Sequence, residues 1–294
     1  MELHTQPAQG PVRPAASVVM LRDGPEGLEV FLLKRHGLSD VLGGVYVFPG
    51  GKVDAGDAMI DLHAHLDLAA SALHAALGEP DLDQIEAAAL HVAALREAFE
   101  ESGVLYAQGA GARQAAMAWE LLRQGHAFDE VLQAMSLRLE ASRLHPWSRW
   151  ITPIIGAVAR KRFDTRFFLA PMPAGQLARH DDHEATDSVW LTPRTALQQY
   201  WDRTIELAPP QILSLAHLSR HPSVASALAE ARGRLPPTIR PELFEQDGTR
   251  VVCYPGDGRH SVPQRALPAP TRLHYRDRRL EPTQGFEAFF VDRG

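Results

Sequence analysis

Three carboxylates at helical spacing are the residues of this sequence best suited to chemistry. Glu97, Glu100 and Glu101 stand at positions i, i+3 and i+4, so a helix would place them on one face. Like charges at this spacing repel one another, and Arg96 can relieve only part of that repulsion. Oxygen-only clusters of this kind suit hard cations such as Mg²⁺ or Mn²⁺. Taken alone, the triplet is more typical of a solvated helix face.

A glycine turn upstream favours the metal interpretation. The segment Phe48-Pro49-Gly50-Gly51 ends a short predicted strand, and glycine lets the backbone approach a ligand closely. Asp57 follows Gly51 by six residues. A strand, a glycine turn and an acidic helix in this order could form a cradle for a metal ion and a diphosphate, with a glycine carbonyl as a further ligand.

The order of these residues resembles the sequence box of the Nudix hydrolases, Gly-x5-Glu-x7-Arg-Glu-U-x-Glu-Glu-x-Gly-U, where U is apolar. Asp57 stands where that family has Glu, and residues 58–95 stand where it has seven, which implies an insertion of about 31 residues. The matching positions are Gly51, Arg96, Glu97, Ala98, Glu100, Glu101, Gly103 and Val104.

The split box is similar to that of the coenzyme A and acyl-CoA diphosphatase group of this family. This resemblance implies metal-dependent hydrolysis of the diphosphate of CoA or acyl-CoA, which gives 3′,5′-ADP and a 4′-phosphopantetheine derivative. Two alternatives stay open: a hydrolase of ADP-ribose, NADH or dinucleotides, and a Nudix-fold module that binds nucleotides without turnover. Other segments similar to the group are residues 32–35, 54–57, 150–153 and 162–168, and Glu184 ahead of Trp190.

The resemblance also implies roles for individual residues. Glu97, Glu100 and Glu101 would bind Mg²⁺ or Mn²⁺ together with the carbonyl of Gly50 or Gly51. Arg96 would orient the box carboxylates through its guanidinium fork.

Two acidic residues have weaker assignments. Asp57 would support Arg96 or a metal-bound water, or would serve only as a turn residue. Glu184 is a candidate base or extra ligand, although an exposed loop acid is the commoner outcome.

Substrate contacts are expected from basic and aromatic residues near the box. Phe48 could stack on adenine or line an acyl groove, although core packing is commoner for any one phenylalanine. A basic turn ahead of a strand remains the favoured interpretation of Arg160 and Lys161. The substrate-binding candidates are Arg35, Phe48, Gly50, Gly51, Arg162 and Arg166.

Hydrophobic patterning predicts the elements that must position these residues. Asp83 is a plausible N-cap for the helix that carries the carboxylates. Predicted strands cover residues 16–21, 28–35, 45–48, 152–156, 165–172 and 188–191, and predicted helices cover 58–77, 84–102, 111–142 with a break near 125, 193–200 and 209–231.

The mixture predicts an α/β fold, and the resemblance makes it a Nudix α/β/α sandwich with a mixed sheet. We expect a flexible tail over residues 1–14 and a Nudix domain over 15–234, with helical insertions near 58–90 and 110–145. Residues 235–294 should form an extension of strands and loops packed on the same domain.

Composition narrows the class of protein further. The chain has 294 residues, is 45% hydrophobic and carries a net charge of −6, which disfavours nucleic acid and anionic membranes as partners. No apolar run approaches membrane-spanning length, and the N-terminus does not resemble a signal peptide. The single cysteine, Cys253, disfavours a disulfide framework and a cysteine-rich zinc site. We therefore expect a cytoplasmic protein that binds a CoA-like nucleotide diphosphate; a homodimer is left open.

Overall fold

A mixed β-sheet lies at the centre of the molecule. The computed structural model describes residues 10–37, 42–155, 161–180 and 185–291. Within these ranges eight strands form the central sheet. They are β1 (Arg13–Gly24), β2 (Gly27–Arg35), β3 (Tyr46–Val47), β4 (Gly50–Lys52), β5 (His145–Ile151), β6 (Phe163–Pro171), β7 (Ala185–Leu191) and β8 (Thr238–Ile239).

Strand β1 organises this sheet. The strand order is β3-β2-β1-β6-β5-β8, with β4 paired to β1 and β7 paired to β2. The β1–β6 and β5–β8 pairs are parallel and the other pairs are antiparallel. Two strands share one edge of β1: residues 21–24 pair with β2, and residues 15–17 pair with β4. The glycine turn is thereby placed beside the first half of β1.

Helices cover the sheet and fill the insertion. They are α1 (Leu62–His65), α2 (Ala70–Leu77), α3 (Gln84–Ser102), α4 (Ala112–Arg123), α5 (Phe128–Ala134), α6 (Pro193–Trp201), α7 (Pro209–Leu218) and α8 (Val224–Gly233). The carboxylate helix α3 has clear ends. Asp83 caps it by accepting the Ile85 N–H at 2.7 Å, and Gly103 ends it in the left-handed conformation with φ 70°.

Alternate residues of the strands feed two hydrophobic cores. Val18 of β1 and Phe168 of β6 pack with α3 on one face, whereas Val19 and Phe167 pack with α6 and α7 on the other. Side chains of a strand alternate between faces, so a sheet apolar on both faces must lie between two layers. The predicted α/β/α sandwich is confirmed.

The last sixty residues add a second, antiparallel sheet. Its strands are β9 (Glu242–Gln246), β10 (Thr249–Cys253), β11 (Arg272–Arg276) and β12 (Arg279–Glu281), in the order β12-β11-β10-β9. Leu273 and Leu280 join the hydrophobic core that also contains Trp150 and Tyr200. This segment therefore packs on the same core as α6 and α7.

Two predicted helices are broken in the structure. Residues 58–77 form α1 and α2 after a 3₁₀ turn at Ala55–Ala58, rather than one helix. The predicted helix over 209–231 is divided into α7 and α8 around Pro222, whose ring and missing N–H oppose helix continuation. Only helix α3 has the bounds predicted for it.

Three other predicted bounds were also wrong. The strand expected at 152–156 lies earlier, as β5, where a register shift between Pro146 and Ser148 disguises the alternation. The helical block over 111–142 ends with α5, apart from a 3₁₀ turn at Ala141–Arg143. Of the expected tail, Arg13 and Pro14 already belong to β1, and residues 1–9 lie outside the described ranges.

None of the helices in the described ranges combines the length and apolar character that crossing a bilayer would require.

Candidate functional site

The last two turns of α3 and the glycines of β4 border a cavity of about 600 Å³. Glu97, Glu100 and Glu101 all line it, as the helical spacing predicted. Other lining residues are Gly50, Gly51, Arg35, Phe48, Arg96, Lys161 and Gln211. Most of the predicted site is therefore brought together around one volume.

Arg96 is the centre of the hydrogen-bond network on this wall. Its Nε and Nη2 donate to the two oxygens of Asp57 at 2.8 and 3.0 Å, which is a bidentate pair. Its Nη1 donates to Glu97 Oε1 and Glu100 Oε2, both at 2.9 Å. Burial alone would lower the pKa of Arg96, but Asp57, Glu97 and Glu100 outweigh that effect and raise it. The guanidinium of Arg96 therefore orients two of the three helix carboxylates, those of Glu97 and Glu100.

Asp57 combines the two roles that the sequence left open. Its side chain is 2% exposed and holds the Arg96 fork, while its Oδ2 accepts the backbone N–H of Asp54 at 2.8 Å. The second bond closes the 3₁₀ turn at Ala55–Ala58. This turn carries the shorter aspartate to within hydrogen-bond distance of Arg96, so the exchange of Glu for Asp is accommodated by the backbone.

The third carboxylate is held by the glycine turn. The Gly50 N–H donates to Glu101 Oε2 at 2.8 Å, and Arg35 Nη1 lies 3.8 Å from Glu101 Oε1. A Cβ atom on Gly51 would overlap the Glu97 carboxylate, and one on Gly50 would overlap the backbone of β1. The position of Gly50 thus requires glycine for close approach, whereas a side chain at Gly51 would displace the Glu97 carboxylate from its place. The described contact of Gly50 with this cluster is made by its amide.

The donor chemistry of this wall fits a divalent cation. Among the contacts of the described residues, Asp57 and the three helix glutamates meet two arginines, Arg96 and Arg35. The atoms that these four side chains offer to a metal are all carboxylate oxygens, the ligands preferred by hard cations. Glu97, Glu100 and Glu101 could hold such an ion beside Gly50, with Arg96 orienting the first two and the Gly50 amide orienting the third.

Two predicted substrate-binding arginines do not line this cavity. Arg162 lies against the carbonyl of Thr152, with its Nε 3.4 Å from that oxygen. Arg166 lies on the other face of β6. Phe163, Thr165 and Phe167 line the cavity, and because side chains alternate between the two faces of a strand, Arg166 is directed away from it. The structure therefore places Arg166 outside this cavity, and a contact of Arg166 with substrate stays a prediction.

Arg166 belongs instead to a second ion cluster at another cavity, of about 680 Å³. Its Nη2 lies 2.5 Å from Glu79 Oε2, and its Nη1 lies 3.0 Å from Asp164 Oδ2. Arg149 contacts the same two carboxylates at 2.8 and 2.7 Å. Because Glu79 stands between α2 and α3, this cluster ties the insertion to β5 and β6.

Lys161 and Gln211 line the cavity although the sequence favoured neither. For Lys161 the sequence favours a basic turn ahead of a strand. Gln211 lies far along the chain and reaches the cavity because Tyr46 forms a bridge with Leu207, which draws the start of α7 towards β3. Glu184, the candidate base, lies outside the described residues and stays a prediction.

A buried arginine that gathers carboxylates from an acidic helix, facing a glycine strand of a mixed sheet between helical layers, defines a Nudix domain. The chain belongs to the family described as the NUDT19 Nudix domain, whose model matches residues 11–218. The resemblance to Nudix hydrolases stated from the split box is confirmed.

Named relatives and a solved structure agree with this membership. Over 248 residues the chain is 26% identical to acyl-coenzyme A diphosphatase NUDT19 of Xenopus laevis, covering 70% of this chain and 64% of that protein. The human protein of that name is 28% identical over 291 residues, covering 85% of this chain and 77% of that one. A crystal structure of a NUDIX hydrolase from Alicyclobacillus acidocaldarius is 27% identical, with a TM-score of 0.61, covering 78% of this chain and 99% of that one.

Proposed function

We propose that this protein hydrolyses the diphosphate linkage of CoA or acyl-CoA with Mg²⁺ or Mn²⁺, releasing 3′,5′-ADP and 4′-phosphopantetheine or its acyl derivative. The observation that carries the proposal is the cluster of Glu97, Glu100 and Glu101, held by Arg96 and the Gly50 amide in a cavity that Arg35 also lines. The substrate class is supported by the two relatives named acyl-coenzyme A diphosphatase.

The residues of the cavity divide the work of phosphoryl transfer between positioning and charge. Arg96 and the Gly50 amide hold the carboxylates in one arrangement before substrate arrives. A divalent ion bound there supplies charge neutralisation at the diphosphate and lowers the pKa of water. Arg35 and Lys161 place positive charge in the same cavity, where they would meet phosphate oxygens.

The reaction needs no covalent nucleophile from the protein. Water adds to phosphorus, the bond from phosphorus to the bridging oxygen breaks, and a proton is released. Cys253 cannot replace water, since it is buried in the second sheet and burial raises the pKa of its thiol to about 11.

A substrate panel with product identification tests this function. The purified chain is incubated with Mg²⁺ or Mn²⁺ and CoA, acyl-CoAs, ADP-ribose or NADH, and products are identified by mass. We expect 3′,5′-ADP from CoA species, with loss of turnover after chelation and recovery on adding either metal back.

Two outcomes would contradict the proposal in different ways. Consumption of ADP-ribose with CoA species left intact would assign another diphosphate as substrate. Nucleotide binding without turnover of any compound would favour a binding module. Glu120→Gln, at an exposed position of α4, serves as a control for preparation quality and should behave as the native chain.

A further inference from the structure

A buried glutamine closes the catalytic cavity on the side contributed by α7. Gln211 is 5% exposed and lines the same volume as Glu97 and Glu100. Its buried Oε1 has no hydrogen-bond partner among the described residues. A buried amide oxygen without a donor is unfavourable and rare, so the oxygen would gain a hydrogen bond by turning towards a donor group that enters the cavity.

Rigid elements fix the position of this amide. The Tyr46 N–H donates to the Glu206 carbonyl at 2.9 Å, and Ala208 packs against Val47. Gln211 follows in the first turn of α7, next to the strand that leads into Phe48. The amide is therefore held at the cavity by the sheet rather than by a loop.

Aromatic side chains line the same cavity as Gln211. Phe48 and Phe167 meet edge to face, with ring centroids 6.2 Å apart and an interplanar angle of 82°. Phe163 lines the cavity as well. A cavity lined by both apolar rings and a planar amide suits a flat heteroaromatic group, because stacking and in-plane hydrogen bonds can be satisfied together.

We infer that Gln211 recognises the adenine base of the nucleotide substrate. The amide oxygen accepts from the exocyclic amine of adenine, and the amide nitrogen donates to ring nitrogen N7, the pairing that glutamine makes with adenine in nucleic-acid recognition. This inference rests on the proposed function, which places the diphosphate against the glutamates.

The amide N–H groups of a pantetheine arm are the rival occupants. Such a group supplies a donor for the amide oxygen but offers no acceptor beside it in the same plane. Adenine satisfies both ends of the Gln211 amide, and in CoA only a ribose separates it from the diphosphate. The observations therefore favour the base.

Paired substrates and paired variants test the assignment. The kcat/KM values of CoA and of its hypoxanthine counterpart, in which oxygen replaces the exocyclic amine, are compared for the native chain, Gln211→Leu and Gln198→Leu. Gln198 bonds only to Asp202 in the described structure and lies outside the cavity lining. We expect the native chain and Gln198→Leu to prefer adenine by roughly 10- to 100-fold. Gln211→Leu should lose that preference, mainly through a higher KM for CoA.

A preference for adenine that survives in folded Gln211→Leu would overturn the inference, as would equal loss with both bases. Failure of the proposed function is separable from this result. Calorimetric binding of 3′,5′-ADP and its inosine counterpart, without metal, measures base recognition even if no diphosphate is hydrolysed. Equal affinity of the native chain for the two nucleotides would reject the role of Gln211.

Discussion

Two arginine–carboxylate clusters border different cavities, and the contacts that the structure describes for them differ in their numbers of positive and negative groups. Around Arg96, the acidic cluster contains Asp57, Glu97, Glu100 and Glu101, against Arg96 itself and the more distant Arg35. In the balanced cluster, Arg149 and Arg166 are shared by Glu79 and Asp164. Both have contacts below 3 Å, so hydrogen-bond quality does not distinguish them.

The two arrangements differ in what they could bind. In the cluster at Glu79, two arginines and two carboxylates contact one another, and such a group links structural elements without needing an ion. The three carboxylates of α3 share one helix face beside Gly50, where they repel one another, and a divalent cation bound there would relieve that repulsion. The helix carboxylates therefore indicate a ligand site, and the pairs at Glu79 indicate a link between structural elements.

The largest expected effect comes from removing charge from the acidic cluster. Glu101→Gln should lower kcat by at least about 100-fold, since a carboxylate that positions charge at the transition state is lost. Glutamine can still accept the Gly50 N–H, so the fold should persist. Steady-state kinetics on CoA with Mg²⁺ measures the effect, alongside thermal unfolding. Near-native kcat in a folded variant would remove Glu101 from the metal site.

The same chemical change in the balanced cluster should act on stability. Glu79→Gln leaves Arg149 and Arg166 with one carboxylate, and breaking a buried ion pair costs about 3 kcal/mol of unfolding free energy. Urea denaturation measures this loss, and kcat of the folded fraction should stay near native. A drop in kcat as large as that of Glu101→Gln would erase the distinction between the clusters.

Local signals made the acidic cluster predictable. Helix α3 begins after Asp83 and ends before Gly103, and both caps are visible in the sequence. Once those ends are set, the spacing of Glu97, Glu100 and Glu101 places them on one face. The glycine turn could be predicted for the same reason, because its conformation depends on adjacent residues.

Non-local packing decided what could not be predicted. The side to which Arg166 points depends on strand parity, and β6 has buried aromatic residues on both faces, so no alternation marks it. Gln211 enters the cavity through pairing near Tyr46, which nothing in the sequence around either residue indicates. Strand β5 was predicted too far along the chain, because its proline and its bulge obscure the alternation of side chains.

A smaller effect on activity should follow from changing the arginine of the acidic cluster while keeping its charge. Arg96→Lys replaces a planar fork with a single ammonium, which cannot hold Asp57 and two glutamates together. We expect metal affinity and kcat/KM to fall by about 10- to 100-fold, the usual cost of losing a residue that orients metal ligands. Titration of activity with Mn²⁺ measures this. Arg149→Lys is the matched control, and equal weakening of metal affinity there would contradict the comparison.

The smallest effect concerns acid stability, where His91 on α3 contributes independently of both clusters. His91 is fully buried against Phe168, and burial lowers the pKa of its imidazole from 6.5 to about 4, partly offset by its hydrogen bond to the Ala87 carbonyl. Between these two pKa values the unfolded chain binds a proton at His91 and the folded chain does not. The contribution of neutral His91 to the free energy of unfolding is therefore complete above pH 6.5 and decreases as the pH falls towards 4.

Between pH 7 and pH 5.5 this residue should account for about 1 kcal/mol of lost unfolding free energy. His91→Leu should remove that part of the pH dependence, as measured by urea denaturation at a series of pH values. His63→Leu, at an exposed position, is the matched control and should keep the native slope. If His91→Leu keeps the full native slope, the acid sensitivity belongs to the carboxylate clusters, and their comparison would have to be repeated at each pH.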